Sequence, residues 1–91
     1  GAGIFGMSLA LHGEITAKDG VIEQGNYDTY PVIRMSEAPK AINVHIMNVD
    51  APPGGVGEPG VPPVAPAIVN AYFNATGKRV RELPLKKAGV V

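Results

Sequence analysis

The stretch from Ala51 to Pro66, APPGGVGEPGVPPVAP, holds six of the chain's nine prolines and four of its twelve glycines. Proline fixes φ and removes a backbone donor, whereas glycine admits φ > 0 and lets backbone approach another group closely. A run that alternates the two is a shaped loop rather than a floppy one. Glu58 is its one ionisable residue. A carboxylate at the centre of a rigid loop constrains what the rest of the chain has to hold.

The residues after this loop predict a helix from about Pro62 to Thr76. Ala65, Ile68, Val69, Tyr72 and Phe73 fall at i, i+3, i+4, i+7 and i+8, which is one apolar helical stripe. Prolines are tolerated in a first turn. Gly77 is a suitable left-handed stop, and Lys78 and Arg79 would then lie near the negative end of the helix dipole. Glu58 therefore sits just ahead of a helix N-terminus, where free N–H groups suit an anion or a developing negative charge.

Ninety-one residues make one small domain or a piece of a larger one. Eight basic and eight acidic residues cancel, so no charge block points to nucleic acid. The absence of cysteine excludes thiol catalysis, disulfides and thiolate metal sites. Two histidines, His12 and His45, do not by themselves make a usual zinc site. No apolar run reaches the roughly 20 residues of a membrane helix. The chain opens on GAGIFGMSLALHGEI with no helix start signal before it, which reads as a piece cut from a longer chain.

Taken in order, residues 3 to 12 predict a helix that is apolar all round and so buried on most sides, ended by Gly13. His12 is placed to meet the last carbonyls of that helix. Asp19-Gly20 is the strongest hairpin signal, with strands over Glu14 to Lys18 and Val21 to Tyr27. Tyr27 to Lys40 has no clear period and reads as irregular, with Tyr30 and Ala38 kept out of αR by the prolines that follow them. Arg34 is a structural partner for Asp28 or Glu37. Ala41 to Val49 alternates, with Ile42, Val44 and Ile46 on one face and Asn43, His45 and Met47 on the other, as in a half-buried strand. Arg79 to Leu83 reads as a short last strand stopped by Pro84, and Lys86 to Val91 as a flexible tail. The order predicts an α+β fold, two helices packed on a small mixed or antiparallel sheet.

Glu58 has two readings on local physics. One is a helix-end carboxylate, worth about 0.3–1 kcal/mol through the dipole. The other is a general base whose pKa is raised by burial or lowered by helix-end donors. The run GGVGEPG lacks the Lys-Ser/Thr ending of a phosphate-binding P-loop. Pro59 to Pro62 and Pro63 to Pro66 each fit the PxxP pattern of polyproline ligands, although the helical stripe already claims the second. His45 reads as a packed or surface histidine, and Tyr27, Tyr30 and Tyr72 as packing residues with a polar tip.

The words themselves carry a resemblance. PPGGVGEPGVPPVAPAIVNAYFNATGKRVRELPL, with FGMSLALHGEIT, DGVIEQGNYDTYPVIRMSEAP and INVHI before it, is similar to the C-terminal end of molybdopterin-binding subunits in the xanthine oxidase and aldehyde oxidoreductase superfamily. The likeness is nearest to the large (beta) subunits of the isoquinoline 1-oxidoreductase type and runs from about Gly3 to Leu85. In that family the glutamate of the Gly-Glu-Pro word sits beside molybdenum. It serves as the base that takes a proton from the metal's water-derived ligand during oxidation of an aldehyde or an N-heterocycle.

The resemblance implies that Glu58 is that base and that Gly55, Val56 and Gly57 border the cofactor. It implies no metal ligand in this chain, because the pterin holds the metal. The cofactor it implies is molybdopterin, in its cytosine dinucleotide form, with iron–sulfur clusters in a partner small subunit. Residues 1–85 would then be a piece of a molybdopterin-binding domain, inactive and without cofactor on its own, and residues 86–91 its tail. Its partners would be the rest of the large subunit, the iron–sulfur subunit and a small-molecule substrate, in a bacterial cytoplasm or periplasm. An exposed apolar patch would make the isolated piece prone to self-association. The rival reading is a non-enzymatic interaction module that docks through the proline-rich loop, with Glu58 as a cap.

Overall fold

Two helices lie against each other, and a small hairpin stands clear of both, in a computed structural model that describes residues 1–91. Helix α1 spans Ala2–Leu11 and helix α2 spans Val64–Thr76. The sheet is one antiparallel pair, β1 (Ala17–Lys18) and β2 (Val21–Ile22), with Ala17 opposite Ile22 and Lys18 opposite Val21. The architecture is α+β, as the element order predicts. The helices pack on each other rather than on the sheet. Neither helix is long and apolar enough to cross a membrane.

Helix α2 follows its local signals closely. Val64, Ala65, Ile68, Val69 and Tyr72 are half-buried while the opposite side is exposed. The helix stops at Gly77, whose φ of 74° is left-handed and whose N–H donates to the Phe73 carbonyl at 2.7 Å. That is the single-bond C-cap which glycine permits without a Cβ clash. Arg79 folds back over the helix. Its guanidinium lies 3.7 Å from the Phe73 ring centroid, and Nη1 donates to Asn70 Oδ1 at 2.7 Å.

The hairpin turns where the Asp-Gly pair predicts. Asp19 and Gly20 both take positive φ, 51° and 78°, the pairing that matches the twist of the flanking strands. Regular pairing is short, but Glu23 N–H still donates to Thr16 O at 2.9 Å. The Gln24 side chain closes the open end, accepting from Thr16 N–H at 2.8 Å and donating to Thr16 Oγ1 at 2.9 Å.

Helix α1 is less covered than its composition predicts. Gly6, Ser8, Ala10 and Leu11 are buried, but Phe5 is 61 % exposed. An all-round apolar helix needs neighbours on several sides, and here α2 covers one. The end of the chain covers another. Leu85 is fully buried, its N–H donates to Ala10 O at 2.8 Å, and Lys86 N–H donates to Leu11 O at 3.0 Å. Those two bonds satisfy carbonyls that a helix C-terminus otherwise leaves open. Beyond Leu85 the backbone makes three turn bonds, from Lys87 to Pro84, Gly89 to Lys86 and Val90 to Leu85. Ser8 ties the irregular segment to α1 by accepting the Ile33 N–H at 3.0 Å.

Two predicted strands are absent. Residues 41–49 form no regular secondary structure and no backbone hydrogen bond, and all are exposed, Ile46 by 91 %. Arg79 to Arg81 is irregular, and Glu82 and Leu83 lie in a bend. A strand is stabilised by ladder hydrogen bonds and cross-strand neighbours, and nothing within these residues offers either to 41–49. The shape agrees. The radius of gyration is 15.8 Å, where a compact chain of this length has about 12 Å. There are 35 backbone–backbone hydrogen bonds, where roughly 60 would be ordinary.

Candidate active-site loop

Glu58 opens a tight double turn that feeds α2. Val61 N–H donates to Glu58 O at 2.9 Å, Val64 N–H to Val61 O at 3.3 Å, and Ala67 N–H to Pro63 O at 3.2 Å. The chain between Glu58 and the helix is thus hydrogen-bonded at each step, and Pro59, Pro62 and Pro63 fix φ at three of its positions. Pro63 already has helical angles, φ −77° and ψ −8°, so the PxxP match at 63–66 is helical and not the extended polyproline conformation.

The turn is docked on α1 at two close approaches. A Cβ on Gly60 would lie 2.9 Å from the Ala2 Cβ. A Cβ on Gly6 would lie 2.7 Å from Val64 Cγ2 and 2.8 Å from the Val61 carbonyl oxygen. Both glycines are there because backbone meets helix at less than side-chain distance.

Ahead of this anchored turn the chain is open. Gly55, Gly57, Glu58 and Pro59 line a depression. Val56 is exposed beside it. A Cβ on Gly54, Gly55 or Gly57 would meet nothing within 4 Å, and their N–H groups have no partner in the chain. The Glu58 carboxylate makes no hydrogen bond and no ion pair. The fold therefore brings Gly55, Gly57 and Glu58 to one concave surface. It combines unused backbone donors with a free acceptor, a donor set that suits a polar cofactor edge held by backbone. No group of three His, Cys, Asp or Glu side chains is placed to hold a metal ion.

Sequence reasoning missed a second polar cluster at the other end of α1, a ten-residue helix about 15 Å long. His12 Nε2 lies 2.6 Å from Glu37 Oε1. Since an ionised carboxylate only accepts, Nε2 carries the hydrogen, and the buried Nδ1 has no partner. The ring thus serves Glu37 and not the helix carbonyls expected from its position; the backbone N–H of His12 reaches Ser8 O and Leu9 O instead. Glu37 Oε2 accepts the Arg34 N–H at 3.0 Å. That backbone bond, then the His12 bond, holds the Glu37 carboxyl below its ordinary 4.5. Of the two carboxylates read as partners for Arg34, Asp28 and Glu37, it is Glu37 that Arg34 meets, and through its main chain. Lys87 Nζ lies 3.3 Å from both Glu14 and Glu82, which raise its pKa above 10.5, Glu82 contributing most. These partners are up to 73 positions apart, so no sequence period could pair them.

No protein-family description matches the chain, and no solved structure does. Clear relatives exist among characterised bacterial proteins. The beta subunit of isoquinoline 1-oxidoreductase from Brevundimonas diminuta is 38 % identical over 93 % of the chain. The membrane-bound aldehyde dehydrogenase (pyrroloquinoline-quinone) of Gluconacetobacter polyoxogenes is 35 % identical over 100 % of it. The molybdenum-binding subunit PaoC of an Escherichia coli aldehyde oxidoreductase is 36 % identical over 93 %. The chain spans 11 %, 12 % and 13 % of the lengths of these three proteins. Over nearly all of its residues, the chain belongs to the family of bacterial oxidoreductase subunits represented by the isoquinoline, nicotinate and aldehyde enzymes.

Proposed function

We propose that this chain is the segment of a molybdenum hydroxylase large subunit that supplies the active-site general base, Glu58, and that it is inactive alone. The observation that carries the reading is the unpartnered Glu58 carboxylate at the mouth of a glycine-lined depression, on a turn bonded stepwise into α2. A general base must be free to accept a proton and carried on a positioned backbone, and the unpartnered carboxylate with the Glu58–Val61 bond behind it supports that reading. The names of the relatives supply the substrate class, an aldehyde or an electron-poor N-heterocycle.

When bound, the pterin-held molybdenum supplies the two-electron oxidation and activates water. The chain's own residues do the rest of what is proposed here. Glu58 takes the proton at a carboxylate oxygen. The N–H groups of Gly55, Val56 and Gly57 border the cofactor, close enough because no side chain intervenes at Gly55 and Gly57. The turn from Pro59 to Pro63 positions the backbone that carries the carboxylate. No side chain of this chain ligates the metal. Electrons would leave through iron–sulfur clusters in a partner subunit; this chain itself has no cysteine to hold one. The cytosine dinucleotide form of the cofactor belongs to the same proposal.

The test is Glu58→Gln in the full-length subunit assembled with its iron–sulfur partner. Turnover on aldehydes or N-heterocycles should fall by about 10²–10⁴-fold, the usual contribution of a positioned base. Molybdenum content should match wild type. Near-normal turnover would return Glu58 to a helix-end carboxylate. A subunit without molybdenum but with pyrroloquinoline quinone would overturn the cofactor, a contrast made necessary by the name of the Gluconacetobacter relative.

A further inference from the structure

From the pairing deficit before the loop, we infer that residues 41–49 are a β-strand whose hydrogen-bonding partner is a strand in another part of the same large subunit. The inference rests on the proposal that this chain works inside such a subunit.

Five observations carry it. The sequence AINVHIMNV has period 2, with Ile42, Val44 and Ile46 on one face, and these three are exposed by 64 %, 77 % and 91 %. From residue 39 to residue 57 the chain makes no hydrogen bond to itself through backbone or side chain. Consecutive unused N–H and C=O groups on a segment with apolar residues at every second position are what a sheet edge presents to an incoming strand.

The partner does not come from within these residues. The only other strands, β1 and β2, are two residues each and already bonded to one another. They are too short to ladder a nine-residue segment. The segment also contains no Lys, Arg, Asp or Glu. Strands that finish as free edges are guarded by charge, proline or a bulge, whereas an unguarded apolar strand belongs inside a sheet. Finally, the matched relatives are many times longer than this chain, which spans 11–13 % of the three quoted above. Ample polypeptide of the same subunit is therefore at hand to supply the neighbour.

Pairing would have a consequence for Glu58. The loop is already fixed at its far end by the Glu58–Val61 bond and α2. A paired strand ending at Val49 would fix its near end, leaving the prolines at 52 and 53 to carry the chain into the glycines. The loop would then be held at both ends and not at one.

The test is amide hydrogen exchange of the wild-type full-length large subunit, read on peptides that cover residues 40–50. The expected result is exchange slowed by more than about 100-fold relative to an unprotected amide, independent of subunit concentration. Exchange near the unprotected rate would overturn the strand. Protection that disappears on dilution would overturn the occupant, because a second copy would then be the partner. The readout uses no turnover, so it stands or fails separately from the Glu58→Gln experiment.

Discussion

Gly6→Ala should separate α1 from the start of α2 and so move Glu58, although the substitution lies more than fifty residues from it in sequence. The added Cβ would sit 2.7 Å from Val64 Cγ2 and 2.8 Å from both Val64 Cβ and the Val61 carbonyl oxygen. Ordinary contact begins near 3.4 Å, so relief requires a displacement of about 0.7 Å. Neither obstacle turns aside easily. One is backbone, and the other is a β-branched side chain that a helix holds in one rotamer. Overpacking of this kind costs about 1–3 kcal/mol. Replacing a helical glycine by alanine recovers about 1 kcal/mol of propensity. Gly3→Ala isolates the difference, because Gly3 lies in the same helix and its Cβ would meet nothing within 4 Å. In the full-length subunit, Gly3→Ala should melt at or above wild type, and Gly6→Ala below Gly3→Ala by the equivalent of about 1–3 kcal/mol. Val61 is bonded to Glu58, so the displacement reaches the loop, and turnover should drop by up to about 10²-fold, the effect of misplacing a catalytic group by roughly 1 Å. Equal melting of the two variants would refute the close approach. Lowered melting with unchanged turnover would refute its transmission to Glu58.

Leu85→Ala removes the one large side chain with no exposed surface and should cost about 2–5 kcal/mol, read as a lower urea midpoint with a similar slope. The backbone bond from residue 85 to Ala10 O survives the change, so the loss measures packing under α1. Acid should weaken the His12–Glu37 end of the molecule. Glu37 titrates below its ordinary 4.5 in the fold, so its contribution is present above about pH 4.5 and is lost as pH falls through the lower folded value. Glu37→Gln should flatten that part of the stability–pH curve. Lys87 is shifted the other way. Its contribution is present below pH 10.5 and is lost as pH rises through the higher folded value, so Lys87→Met should flatten the alkaline limb.

The elements legible in the sequence are those whose causes are local. Helix α2 is specified by prolines at its start, a stripe at helical spacing and a glycine at its end, all within 16 residues. The hairpin rests on two adjacent residues that accept positive φ. Ala38 is extended, φ −62° and ψ 149°, because a proline follows it. What was not legible depends on distant partners. The carbonyls at the end of α1 are met by residues 85 and 86, and His12 is turned away from them by a carboxylate 25 positions on. Position in the chain suggested a local role for His12, and the stronger charged acceptor won. Glu58 was legible as a carboxylate ahead of a helix on a proline-stiffened loop, but no chemistry was legible in it. Only the Gly-Glu-Pro word and its relatives attach oxidoreductase chemistry to it.

The missing strand and the open site have one physical origin. Both lie in residues 39–57, the stretch that makes no hydrogen bond to the rest of the chain. Buried polar backbone is almost always paired, so a segment of this length with no pairing either stays in water or is completed by other polypeptide. Its composition decides against water. Isoleucine and valine recur at every second position through 42–46, and of the residues that follow the prolines lose little entropy on ordering whereas the glycines lose more than any other residue, so the glycine half orders only against a partner. A segment that is apolar on one face and rich in unused donors is built to be finished by something else. The strand half would be finished by backbone from a neighbouring strand, and the glycine half by a ligand that accepts from the N–H groups of Gly55 to Gly57. Glu58 stands at the point where the second half meets the turn that this chain does complete, so its position is set from one side here and from the other by the assembly.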